Sequence, residues 1–103
     1  MNEKALNVVA RLNEQPVLTL GLSEWGGIED QFDEVERHRT HIKGDLVIIR
    51  IEPGYAAVEE PAPNQIVLRR LGDINEVRRF VTDRLETYER MWDGCGCRID
   101  YYS

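Results

Sequence analysis

The chain of 103 residues is poor in the groups from which most catalysis starts. Its only serines are Ser23 and Ser103, and neither sits in a G-x-S-x-G elbow. The threonines have no evident base partner. There is no P-loop and no G-x-G-x-x-G, and Gly26-Gly27 alone is too little for a phosphate cradle. The D-x-[DN]-x-[DN]-G spacing of a calcium loop is absent. Carboxylates are plentiful over residues 29–36, but a solvated acidic face supplies no pocket for acid–base work.

Basic charge is also short. Thirteen Lys and Arg stand against nineteen Asp and Glu, a net charge of −6. A general nucleic-acid binder needs a basic face to displace counterions, so direct nucleic-acid binding is not expected. No apolar run approaches the ~18 residues that would span a membrane. Met1-Asn2-Glu3-Lys4 lacks the charged-then-apolar pattern of a signal peptide. The expectation is a soluble cytoplasmic protein. Hydrophobic residues at 42% are enough for one core, so disorder throughout is excluded.

The acidic excess has an address. Residues 1–23 and 37–103 each sum to zero. The whole −6 lies in residues 24–36, as Glu24, Glu29, Asp30, Asp33, Glu34 and Glu36 with no base among them. Arg37, Arg39 and Lys43 follow directly. On a helix, this gradient would complement the macrodipole at roughly 0.3–1 kcal/mol per charge near each end. Six acids exceed what a dipole needs, and a focused negative patch would speed encounter with a basic surface.

Along the chain, residues 5–12 fit two periods. Leu6, Val8, Ala10 and Leu12 alternate as in a strand, whereas Ala5, Leu6, Val9 and Ala10 suit a helix face. A hairpin with 17–22, closed over 13–16, is the favoured reading, and an N-terminal helix is the alternative. Trp25-Gly26-Gly27 reads as a turn. Ile28, Phe32, Val35 and Ile42 form a stripe that predicts a helix over 28–42. Leu46–Ile51 is a strand buried on both faces. Residues 53–64 hold three of the four prolines and read as a long irregular connection. Residues 65–71 are another strand. Asp73 and Glu76 form a capping box for a helix over 73–93, and Asp93-Gly94 ends it. Residues 97–102 read as a short closing strand.

These elements predict a single α+β domain over residues 1–103. A mixed or antiparallel sheet of four or five strands would carry two amphipathic helices, 28–42 and 73–93.

Two constellations could carry function. The first is an interaction surface of Trp25 with Glu29, Asp30, Asp33, Glu34 and Glu36, joined by Tyr55. Trp and Tyr are common anchors of binding energy, and carboxylates would rim them for a basic protein partner. Small inhibitors, immunity proteins, nucleic-acid mimics and adaptor subunits share this size and charge, though no family motif. The second is Cys95-Gly96-Cys97. These thiols could be small packed residues, two zinc ligands completed by His38 and His41 at i and i+3, or a strained, easily reduced disulfide. The expected function is a non-enzymatic module docking on a basic protein. The alternatives are a metal or thiol-redox protein and a packing subunit of a larger assembly, including a homo-oligomer.

Overall fold

The computed structural model describes residues 2–40 and 44–94, with only the backbone for 91–94. The expected strand over 97–102 therefore lies outside the described residues.

Helix α1, Glu3–Glu14, opens the chain. The Asn2 side chain caps it, accepting the Ala5 N–H at 2.9 Å. Ala5, Val8, Val9 and Leu12 are buried, at helical spacing. This corrects the hairpin expectation. The alternating pattern would have needed Leu6 and Ala10 inside, but both are exposed, Leu6 at 56%. Strand β1, Val17–Gly21, turns Leu18 and Leu20 inward and leaves Val17, Thr19 and Gly21 exposed.

Residues 22–38 depart furthest from expectation. Leu22–Gly26 is a short helix, α2, so Trp25 and Gly26 sit in a helix rather than a turn. A single 3-10 turn follows over Glu29–Gln31, and then strand β2, Asp33–His38. There is no helix over 28–40. Ile28 and Phe32 are buried as the stripe required, but Val35 is 38% exposed at a bulge between Glu34 and Glu36. On a helix, Glu29 and Asp33, Asp30 and Glu34, and Asp33 and Glu36 would stack like charges at three- and four-residue spacing, which is destabilising. The extended strand separates them and lets Arg37 reach across to Glu34 and Asp45.

Strand β3, Leu46–Arg50, lies inside the sheet as its apolar run predicts. Beyond it the chain turns through Pro53 and Gly54, whose φ of +90° favours glycine. Strand β4, Tyr55–Ala62, then replaces the expected irregular connection. Its prolines did not exclude a strand, because Pro61 falls where the register to β5 shifts, between Glu59 and Ala62. Pro63 and Asn64 make a two-residue turn, with Asn64 at φ 63°, into β5, Gln65–Leu71. Helix α3, Ile74–Gly94, starts where the capping box placed it, with the Asp73 carboxylate accepting the Glu76 N–H at 2.8 Å.

The five strands form one antiparallel sheet in the order β1-β5-β4-β3-β2. This is the α+β class expected, with five strands and three α-helices among the described residues. Helices α1 and α2 cover one face, burying Leu12, Trp25, Ile28 and Phe32 with Leu18, Ile49, Val58 and Leu68. Helix α3 covers the other, burying Val77 and Val81 with Leu46, Ile48, Ala57 and Leu71. None of the described helices is long and apolar enough to cross a membrane.

Candidate functional site

The sheet face under α1 and α2 is not fully covered. Antiparallel register places Arg37, Val47, Val58 and Leu68 in one row across β2 to β5. Over the β2–β4 part of this row lies a half-open groove of about 550 Å³. Its apolar floor includes Val47, Val58 and Ile66.

One wall is aromatic. Trp25 and Phe32 both line the groove, and their rings stack with centroids 5.7 Å apart and planes 17° from parallel. Helix α2 delivers the first ring and the residue ahead of β2 delivers the second. Both are largely buried, so they act as a stiff wall more than as loose anchors. Leu22, 42% exposed, adds a free apolar surface at the same wall.

The rim is acidic. Glu29 and Asp30 come from the 3-10 turn, Glu34 from β2, Asp45 from just before β3 and Glu60 from β4. Among the described residues that line the groove, Arg37 is the one cation. Its Nη2 and Nε donate to Glu34 Oε1 at 2.6 and 2.9 Å, and its Nη1 donates to Asp45 Oδ2 at 2.9 Å. These bonds, the one to Glu34 foremost, hold the guanidinium pKa above its already high ordinary value. All three side chains are more than a third exposed, so each pair contributes only about 0–1 kcal/mol to stability. Their effect is local: they fix where charge sits along the rim.

Of the seven residues assigned to partner binding from sequence, Trp25, Glu29, Asp30 and Glu34 come together here. Asp33, Glu36 and Tyr55 do not line the groove. Glu36 points toward His38 on its own strand, 3.7 Å away. Tyr55 packs on the α3 side, with Arg50 over its ring at 5.6 Å. Sequence reasoning missed Asp45, Glu60, Val47 and Val58, which enter through strand register. The available signal was Asp45, a carboxylate directly before the strongest strand.

Of the zinc set read from the sequence, His38, His41, Cys95 and Cys97, only His38 lies among the described residues. His38 lies on β2, so a helical i, i+3 pair with His41 is overturned for the same reason as the helix over 28–42. Among the described residues, no group of three or more His, Cys, Asp or Glu could hold a metal ion.

A second polar cluster, invisible in the sequence, sits on the opposite face. Glu59 is buried at 8% exposure on the central strand β4. Tyr88 of α3 donates its hydroxyl to Glu59 Oε2, and Arg84 Nε lies 3.2 Å from the same oxygen. The Arg84 guanidinium also stacks on Phe80 at 4.9 Å. Burial, then the bond to Glu59, pushes the Tyr88 hydroxyl pKa well up. A phenol held protonated this firmly is a hydrogen-bond donor, not a base. The cluster ties α3 to the sheet.

No protein-family model, curated protein or solved structure matches this chain.

Proposed function

We propose that this chain is a non-enzymatic protein-binding module whose groove takes a basic, partly apolar segment of another protein. One observation carries the reading. The segment that holds the entire net charge of the chain folds so that Trp25, Glu29, Asp30 and Glu34 line one concavity with an apolar floor. Apolar floor and acidic rim suit a ligand that alternates aliphatic and cationic side chains. The aliphatic groups gain by leaving water, at about 25 cal/mol per Å². The cations set orientation and encounter rate more than raw affinity.

The test is binding of a short peptide alternating Arg and Leu, measured by calorimetry at low and at high salt. Reversal of Asp30 and Glu60 to Lys is expected to weaken binding by at least about tenfold at low salt, or roughly 1.4 kcal/mol. Reversal of Asp33 and Glu36, outside the groove but equal in sign, is expected to cost much less. Equal losses from both sets would reduce the effect to net charge and sink the groove.

A further inference from the structure

The two edges of the sheet are built differently. Edge strand β2 is charged at Asp33, Glu34, Glu36 and Arg37 and is bulged between Glu34 and Glu36. Those features blunt an edge against pairing with another chain. Edge strand β1, Val-Leu-Thr-Leu-Gly, has no charge, no proline and no register shift.

Its free groups follow from the ladder. Arg70 donates its N–H to Pro16 O at 2.7 Å, and Leu22 donates its own to Asn64 O at 3.3 Å. Hydrogen-bonded pairs recur every second residue in an antiparallel ladder. Leu18 and Leu20 therefore bond β5, and the N–H and C=O of Val17, Thr19 and Gly21 point outward. All three residues are exposed, and a Cβ built on Gly21 meets nothing within 4 Å.

The surroundings are unusual for this chain. In a sequence that is 31% charged, residues 15–23 and 61–68 carry no charged side chain. The β1–β5 pairing and the β4–β5 turn bring the two stretches together around a shallow depression lined by Thr19, Gly21, Ala62 and Gln65, among others. A surface that must meet a copy of equal charge is best neutral. With −6 on each chain, an uncharged corner lets a second copy approach without setting like charges face to face.

We propose that β1 pairs antiparallel with β1 of a second copy about a two-fold axis at Thr19, joining two five-stranded sheets into one. The register is self-complementary. Thr19 exchanges its backbone bonds with Thr19 of the second copy, and Val17 exchanges with Gly21. Leu18 and Leu20 stay on the face covered by the helices, so the pairing leaves each core unchanged. This interface is independent of the groove.

Sedimentation velocity of the full chain over a wide concentration range is the test. The expected result is a dimer that persists, or tightens, as salt rises, because screening relieves the repulsion between two acidic copies. The variant Val17→Lys with Thr19→Lys, folded by circular dichroism, is expected to be monomeric. Thr19→Cys, made with Cys95→Ser and Cys97→Ser, is expected to form a disulfide-linked dimer on mild oxidation. Hydrogen-bonded residues facing each other across such a ladder have Cα atoms about 5.5 Å apart, within disulfide range. A monomer at every concentration would overturn the proposal. So would a dimer that survives the two lysines and stays unlinked in the oxidised Thr19→Cys variant.

Discussion

Arg37 of β2 bridges Glu34 of its own strand and Asp45, the residue just before β3, with its Nη1 2.9 Å from Asp45 Oδ2 and its Nη2 2.6 Å from Glu34 Oε1. It occupies, from within the chain, the kind of position that a cation of a bound segment would take. Replacing it by Gln frees both carboxylates. Stability is expected to change by less than about 1 kcal/mol, as for other exposed pairs. Binding of the Arg-Leu peptide is expected to tighten several-fold at low salt, with the gain fading at high salt. Calorimetry beside thermal melts checks both. Weaker binding in Arg37→Gln would mean that Arg37 itself contacts the ligand.

Trp25→Ala is expected to cost about 3–5 kcal/mol of folding stability, the usual range for deleting a buried aromatic ring. The side chain is 6% exposed and stacks on Phe32. Urea denaturation gives the number. A loss below about 1 kcal/mol would rule out a rigid aromatic wall. Trp25→Phe, which keeps a stacked ring, is expected to recover most of the loss.

Gly54→Ala tests the turn between β3 and β4. The residue has φ +90°, and an added Cβ would lie 2.7 Å from the Leu71 carbonyl oxygen. The obstacle is backbone, so it cannot swing aside. The expected loss is about 1–3 kcal/mol, read from the denaturation midpoint at unchanged slope. A neutral effect would show that this turn is not held as described.

The Glu59–Tyr88 contact predicts an alkaline limit. Tyr88 has its pKa raised in the folded state, by burial first and by the bond to Glu59 second. The folded chain therefore holds this proton more tightly than the unfolded chain. The contribution is complete below the ordinary tyrosine value of about 10 and falls as pH rises above it. Melts between pH 8 and 11 are expected to show a loss of stability at the alkaline end that Tyr88→Phe reduces. An identical alkaline slope in wild type and Tyr88→Phe would mean that Tyr88 does not set this limit.

Local patterns made most of the elements legible, and non-local pairing hid the rest. Helix α3 was readable because Asp73 caps it and Val77, Val81 and Leu85 repeat at its period. Strand β3 was readable from an apolar run that only a sheet interior explains. Residues 5–12 fitted two periods, and the choice depended on whether Leu6 or Ala5 went inside, which tertiary packing decided. Strand β2 had no legible strand pattern. It is a charged edge with a bulge, and its acids matched a helix dipole as well as a rim. Strand β4 was concealed by prolines that fall at its end.

The groove was half visible for the same reason. Trp25, Glu29, Asp30 and Glu34 come from one continuous segment whose charge stands out in the sequence. Asp45, Val47, Val58 and Glu60 join them only through the β2–β3 and β3–β4 registers. A helix over 28–42 hid the first of these registers. It also placed Asp33 and Glu36 with the other acids, where the strand turns Glu36 toward His38 instead.

Whether the groove is a binding site is decided by nuclear magnetic resonance of the isotope-labelled chain, titrated with the Arg-Leu peptide at low salt. A ligand seated on the apolar floor would give its largest shifts at Leu22, Glu34, Val47 and Glu60 and at the Trp25 indole, with little change along α3. Shifts centred on α3 or on Asp33 and Glu36, or no saturable shift in the groove, would show that the groove does not take such a segment.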